Sequence, residues 1–120
     1  MAPMKTYRGG CHCGKYRFEV DTNLEKVIEC NCSHCRMKGL VLTFVPTEQF
    51  RLTAGDEDEA IVYQFNKKTI HHQSCPVCAV QSFSWGTNSK GEKMRAINVR
   101  CLDGVDLKDL TITPVNGKEY

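Results

Sequence analysis

The sequence predicts a mainly β, all-β fold with only short helical turns. Apolar residues occur in short segments that either alternate with polar residues or are rich in β-branched side chains, and turn-forming residues separate these segments. The chain also contains eight cysteines, most of them in pairs that are one or two residues apart. Such spacing is typical of metal ligands, so the expected class is all-β with bound zinc.

The length and composition are those of a small soluble domain. The chain has 120 residues, 41% of them hydrophobic and 25% charged, and we expect one domain over residues 1–120. Residues 1–8 carry two charges and no apolar run, and no segment is a candidate membrane span, so we expect a cytoplasmic protein. In a reducing compartment, clustered cysteines are more often metal ligands than disulfides.

The charge pattern gives no indication of a polyanionic partner. The formal net charge of +2 counts every thiol as neutral, whereas metal-bound thiols are deprotonated. Lysine and arginine are scattered along the chain and form no basic patch of the kind that binds nucleic acid. We therefore expect neither a nucleic-acid nor a membrane partner, and the sequence leaves the oligomeric state open.

The predicted strands follow one another along the chain, with the cysteine pairs between them. In the first strand Tyr16, Phe18 and Val20 alternate with Arg17 and Glu19, which is typical of a half-buried strand. The other strands are predicted at residues 26–29, 40–45, 50–53, 60–65, 70–73, 80–85, 95–99 and 111–115. Turns are predicted at residues 66–68 and 87–92, one or two helical turns at 105–110, and an irregular terminus at 116–118.

The run at residues 55–59 is strongly acidic. Its sequence is Gly-Asp-Glu-Asp-Glu, and two predicted strands flank it. The carboxylates are too bunched and too local to suggest a general acid and base, so we predict the solvated tip of a hairpin.

Two cysteine pairs resemble metal knuckles. Cys11 and Cys13 lie between glycines, as a backbone that curls tightly around a metal requires, and we expect His12 to point away from the ion. Cys75 and Cys78 lie between two predicted strands, as in a zinc ribbon. The natural partition places these four cysteines in one closed site, although spacing alone also allows the central cysteines to share the ribbon pair.

The central stretch at residues 29–36 contains three further cysteines, Cys30, Cys32 and Cys35. Three thiolates can converge on one zinc ion and leave the fourth position open, which is typical of a catalytic zinc and not of a structural one. Arg36 places a cation beside these thiolates and could receive a carboxylate. We expect His34 to be a solvent-exposed residue of this knuckle.

Three other residues could bind a metal or react, but their spacing in the sequence does not assign them a role. His71 and His72 alternate faces on a predicted strand, so only one can face the metal region, and a structural role is expected for each. Cys101 could complete the central zinc site, act as a redox thiol or fill a small apolar space. We expect it to fill space.

Three motifs, in this order, carry a resemblance to a known family: GGCHCG at residues 9–14, CNCSHC at 30–35, and CPVC followed by VQSF at 75–83. The chain resembles the glutathione-dependent formaldehyde-activating enzyme family over about residues 7–110 and, through VQSF and the residues at 101–103, its branch containing centromere protein V. The resemblance implies a zinc-bound β-tent of small antiparallel sheets. It also implies two zinc ions, a structural one on Cys11, Cys13, Cys75 and Cys78 and a labile one on Cys30, Cys32 and Cys35.

Two positions depart from the family pattern. The family usually has an aromatic residue before the ribbon pair and a glycine after it, whereas this chain has Ser74 and Ala79. Because a left-handed turn after Cys78 disfavours alanine, we expect a slightly altered knuckle at the structural zinc.

The resemblance implies carbon–sulfur lyase chemistry on glutathione and a small aldehyde, with formation or cleavage of S-hydroxymethylglutathione. Cys30, Cys32 and Cys35 would be catalytic, and Arg36 would contact glutathione. The alternative is a zinc-stabilised binding module without catalysis, which the centromere protein V likeness permits. A third hypothesis makes Cys101 a redox thiol, since methionine sulfoxide reductases with a zinc β-tent also have a cysteine in a late strand.

Overall fold

The computed structural model describes residues 3–30, 33–64 and 70–115. Within these ranges the chain forms ten strands and one short helix, α1, at Ser33–Lys38. The strands are β1 Lys5–Gly10, β2 Arg17–Thr22, β3 Val27–Cys30, β4 Val41–Pro46, β5 Phe50–Ala54, β6 Ile61–Tyr63, β7 Ile70–Ser74, β8 Phe83–Thr87, β9 Lys93–Asn98 and β10 Ile112–Val115. Single 3-10 turns lie at Thr47–Gln49, Glu57–Glu59, Val99–Cys101 and Leu107–Asp109.

The strands form two sheets. A three-stranded sheet has the order β1-β2-β5, and a seven-stranded sheet has the order β10-β3-β4-β9-β8-β7-β6. All the pairings are antiparallel except that of β10 with β3, which is parallel. The prediction of an all-β fold with small antiparallel sheets and short helical turns is thus confirmed.

The core lies between the two sheets and contains a cluster of aromatic rings. Phe18 of β2 packs against Phe50 at 5.3 Å and against Phe83 at 6.0 Å between ring centroids, and Tyr16 meets Phe83 edge-on at 5.7 Å. Phe18 and Val20 are buried, whereas the intervening side chains of β2 are half-buried. The predicted alternation in this strand is therefore confirmed, because period-two side chains point to opposite faces of a sheet.

Most other sequence-predicted elements are confirmed with shifts of one to three residues at their ends. The strand predicted at 80–85 begins only at Phe83, and the helical segment predicted at 105–110 is the single 3-10 turn Leu107–Asp109. The turn predicted at 66–68 and the terminus at 116–118 lie outside the described residues.

The acidic run at residues 55–59 is exposed as predicted, apart from the half-buried Glu57, but the prediction that it is the tip of a hairpin is wrong. β5 belongs to the small sheet and β6 to the large one, so the acidic run connects two sheets. Glu57 in this run accepts hydrogen bonds from Arg95 at 2.6 and 3.1 Å and from Gln73 at 2.9 Å. The side chain of Arg95 is only 8% exposed, and a buried guanidinium requires a counter-charge, which Glu57 supplies.

No helix within the described ranges is long and apolar enough to cross a membrane.

Candidate metal centre and adjoining pocket

The first cysteine pair lies in the tight loop between β1 and β2. The Cys11 N–H donates to the Tyr16 carbonyl at 3.2 Å, and the Tyr16 N–H donates to the Cys11 sulfur at 3.3 Å. The Gly14 N–H closes the turn on the Cys11 carbonyl at 3.2 Å. His12 is exposed at the tip of the loop. The loop therefore presents two sulfurs and supports one of them with a backbone donor.

The second pair lies in the loop between β7 and β8. The Val77 and Cys78 N–H groups donate to the Cys75 sulfur at 3.4 and 3.5 Å. The Cys75 N–H bonds to the Val80 carbonyl at 3.1 Å, and the Ala79 N–H bonds to the Cys75 carbonyl at 2.9 Å. N–H donors stabilise a negatively charged sulfur, so this loop is built for a thiolate.

The two loops bring four sulfurs together, and we call this group the four-cysteine site: Cys11, Cys13, Cys75 and Cys78. All four sulfurs lie within 4.8 Å of one another. The Cys13 sulfur is 3.7 Å from that of Cys11 and 3.6 Å from that of Cys75. A tetrahedron with zinc–sulfur bonds of about 2.3 Å has edges of about 3.8 Å, whereas a disulfide needs about 2.05 Å. The donor type and the spacing therefore fit zinc.

The thiols of Cys13 and Cys78 differ in acidity within this crowded site. The Lys15 N–H acts to lower the pKa of Cys13, but burial and the neighbouring thiols raise it to about 11. Burial acts to raise the pKa of Cys78, but the N–H groups of Cys13 and Val80 and the Cys75 thiol lower it to about 6. Four thiolates at this spacing would need a cation, and a bound zinc would supply it.

Ala79, which follows Cys78 in the second loop, has a left-handed backbone, with a φ of +68°. This conformation costs an alanine about 1–2 kcal/mol and costs glycine almost nothing. We expect Ala79→Gly to raise the free energy of unfolding by about 0.5–1 kcal/mol in denaturant titrations, since glycine loses part of the gain as chain entropy. Ala54→Gly, in the extended backbone of β5, is the matched control and should lower stability. Equal losses in the two variants would contradict the strain at Ala79.

The central cysteines flank the start of α1. Cys30 is the last residue of β3 and is half-buried, and Cys35 is buried inside α1 against Leu40 and Leu42. Neither belongs to the four-cysteine site. Cys32 lies outside the described residues. Spacing alone did not predict that the stretch containing these cysteines is helical.

α1 ends in a tight glycine turn that fixes Cys35. Gly39 has a φ of +65°, its N–H bonds to the Arg36 carbonyl at 3.3 Å, and the Leu40 N–H bonds to the Cys35 carbonyl at 3.1 Å. This pair of bonds is the Schellman pattern that glycine permits at a helix C-terminus. The Arg100 side chain also donates to the Gly39 carbonyl at 3.1 Å. Gly39 was the signal in the sequence that could have predicted a short helix here.

A pocket of about 490 Å³ lies beside this turn and is lined in part by Cys30, Cys35 and Arg36. The same pocket receives Glu29 from β3 and Pro114 from β10. Its volume is within the range of small-molecule sites. Arg36 forms no ion pair with any described residue, so its guanidinium is available to a ligand.

Two comparisons with known proteins bear on the family of this chain. The model of the glutathione-dependent formaldehyde-activating enzyme family matches residues 6–115. The chain belongs to this family. A crystal structure of a Rhodobacter sphaeroides protein is similar to it, with a TM-score of 0.76 and 28% sequence identity over 89% of this chain and 97% of that one. The likeness to the centromere protein V branch remains a prediction.

In this member of the formaldehyde-activating family, α1 is also tied to the second cysteine loop. The Lys38 ammonium donates to Ser74 Oγ at 2.9 Å and to Gln81 Oε1 at 2.8 Å, and these two residues flank Cys75 and Cys78. Burial lowers the pKa of Lys38. The helix that carries Cys35 and Arg36 is thus connected by one side chain to the loop that carries half of the four-cysteine site.

His34, His71 and His72 pack against other rings, and the expectation that His34 is solvent-exposed is wrong. His34 is half-buried rather than solvent-exposed, and its ring lies 4.0 Å from that of His72 and 5.5 Å from that of Tyr63. Burial, with smaller effects of His34, Lys38 and His71, lowers the pKa of His72 to about 4. His71 stacks on Trp85 at 3.8 Å, while its neighbour is buried. The alternation of faces predicted for residues 71 and 72 fits these positions.

Cys101 is half-buried at the end of the 3-10 turn that follows β9. Burial, together with Cys11 and Cys78, raises the pKa of its thiol to about 11. The Cys101 carbonyl packs so closely on Gly9 that a Cβ at position 9 would lie 2.5 Å from it. A redox thiol needs a lowered pKa, so these surroundings favour the space-filling role.

Proposed function

We propose that the protein is a zinc-dependent carbon–sulfur lyase that acts on glutathione and a small aldehyde such as formaldehyde. The observation that carries the proposal is the pocket of about 490 Å³ that contains Cys30, Cys35 and Arg36 together. Membership of the formaldehyde-activating family supports the substrates. A cytoplasmic location suits this activity, because glutathione is a principal reductant of that compartment.

The proposed metal ligands fall into two groups with different tasks. Cys11, Cys13, Cys75 and Cys78 would hold a structural zinc, because four thiolates leave no position open. Cys30, Cys32 and Cys35 would hold the second zinc. When bound, that ion would act as a Lewis acid toward the glutathione sulfur or the aldehyde oxygen.

The chain's own contribution is to bind and orient the substrates. Arg36 would bind a carboxylate of glutathione, since the guanidinium fork matches a carboxylate in two parallel hydrogen bonds. This contact would place the glutathione sulfur toward Cys30 and Cys35. In the forward direction the sulfur bonds to the carbonyl carbon, the carbon–oxygen π bond breaks, and the thiol proton moves to the oxygen. The reverse reaction cleaves the same carbon–sulfur bond.

Titration calorimetry on the zinc-loaded protein tests this proposal. We expect saturable binding of glutathione, and a further heat signal when formaldehyde is added to the complex. Arg36→Met should weaken glutathione binding about tenfold or more, because it removes a charge-assisted hydrogen bond. Arg8→Met is the control, since Arg8 lies in β1, pairs with Glu19 and has a 74% exposed side chain. A folded, zinc-loaded protein that does not bind glutathione would instead support the binding module.

A further inference from the structure

Glu29 is an acidic residue in the wall of the proposed substrate pocket. It lies in β3 immediately before Cys30, is exposed, and lines the same pocket as Cys35 and Arg36. Its partners in the register are Val41 of β4 and Pro114 of β10. Neither side chain carries a charge, so these positions of the adjacent strands offer the Glu29 carboxylate no cation.

The Glu29 carboxylate forms no ion pair within the described parts of the chain, in contrast to several other acidic residues. The ion-paired carboxylates are those of Glu19, Asp21, Glu57, Glu59, Asp103 and Asp106. Glu29 and Arg36 line one pocket, yet no ion pair joins them. The pocket therefore offers one anion and one cation to a ligand.

A carboxylate beside the cysteines of the proposed zinc site has an electrostatic consequence. Like charges repel, so Glu29 opposes the binding of an anionic thiol that carries no positive group near it. The same carboxylate favours a ligand that presents an ammonium group at this position. The charge pattern of the pocket thus matches a ligand with a free amino-acid end, which carries both an ammonium and a carboxylate.

We propose that Glu29 binds the α-ammonium of the γ-glutamyl end of the ligand while Arg36 binds the carboxylate on the same carbon atom. This inference rests on the proposed function, because it concerns the same pocket and the same thiol. It makes Glu29 a specificity-determining residue that selects a thiol peptide with a free amino terminus over thiols without one.

The test compares two ligands on the zinc-loaded protein by titration calorimetry. One ligand is glutathione, and the other is glutaryl-cysteinyl-glycine, which differs from it by the loss of the amino group. The unmodified protein should bind glutathione about tenfold more tightly than the analogue or better. Glu29→Gln should bind glutathione about tenfold more weakly and should lose the preference. Glu48→Gln, at an exposed glutamate away from the pocket, should keep both the affinity and the preference.

The possible results separate this inference from the proposed function. Equal affinity of the unmodified protein for both ligands, or a preference that survives in Glu29→Gln, would overturn the role of Glu29 and leave the proposed function standing. If neither ligand binds, the role of Glu29 and the proposed function are both overturned. The comparison of ligands on the unmodified protein decides the question even if the Glu29 variant does not fold.

Discussion

Replacement of Cys75 by serine is expected to cost the protein its stable fold. Cys75 is 2% exposed, and its sulfur accepts two backbone N–H groups and lies 3.6 Å from that of Cys13. The four-cysteine site joins the loop of the small sheet to a loop of the large sheet, so a lost ligand removes a link between the two sheets. Structural zinc supplies about 10–16 kcal/mol in zinc-finger peptides, compared with a net stability of about 5–15 kcal/mol for a domain. Thermal unfolding and soluble yield would measure the effect.

Cys35→Ser is the matched control for this prediction. Cys35 is also buried, but it lies in a small separate cluster with Leu40, Leu42 and Ala96, and it belongs to the open zinc site as proposed. We expect a loss of about 1–2 kcal/mol in the free energy of unfolding, since a hydroxyl replaces a buried thiol. Native mass spectrometry should show that one tightly held zinc remains in Cys35→Ser. Equal losses of stability in Cys75→Ser and Cys35→Ser would mean that the assignment of the cysteines to a structural and an open zinc site is wrong.

Local sequence patterns predicted the strands because those patterns depend on neighbouring residues alone. The alternation from Tyr16 to Val20 identified β2, since it reflects one buried and one exposed face. The short spacing within each cysteine pair indicated the two tight loops. Ala79, by contrast, adopts the left-handed backbone that alanine disfavours, although its presence had led us to expect an altered knuckle.

Contacts between distant segments could not be predicted in the same way. Within the exposed acidic run at residues 55–59, the partial burial of Glu57 was not predictable because its counter-charge, Arg95, lies far along the chain in β9. Similarly, the burial of His34 depends on His72 and Tyr63, which the chain brings near only through β6 and β7. The pocket combines residues of β3, α1 and β10, so its shape is a property of the fold that no local pattern encodes.

Arg95→Met is expected to lower the free energy of unfolding by about 3 kcal/mol at neutral pH. Arg95 makes a bidentate ion pair with Glu57, lies over the Phe50 ring at 4.6 Å and donates to Thr47 Oγ1 at 3.3 Å. Methionine preserves much of the packing but leaves the half-buried Glu57 without its cation. Removing one partner of such a pair is costly because the remaining charge stays desolvated. Denaturant titration at neutral pH would measure the loss.

The pH dependence provides the decisive control for this prediction. Burial acts to raise the pKa of Glu57, but hydrogen bonds from Arg95 and Gln73 outweigh it and hold the pKa below its ordinary value of 4.5. The ion pair therefore stabilises the protein fully at pH values above the ordinary pKa of Glu57. Its contribution is lost as the pH falls through the lowered pKa of the folded state. In Arg95→Met burial dominates, so Glu57 takes up a proton more readily. The difference in the free energy of unfolding between the unmodified protein and Arg95→Met should therefore narrow toward pH 3. Arg51→Met, which breaks an exposed pair with Asp21, should cost about 1 kcal/mol or less. If the loss in the free energy of unfolding caused by Arg95→Met stayed constant with pH, packing and not the charge on Glu57 would explain the contribution of Arg95 to stability.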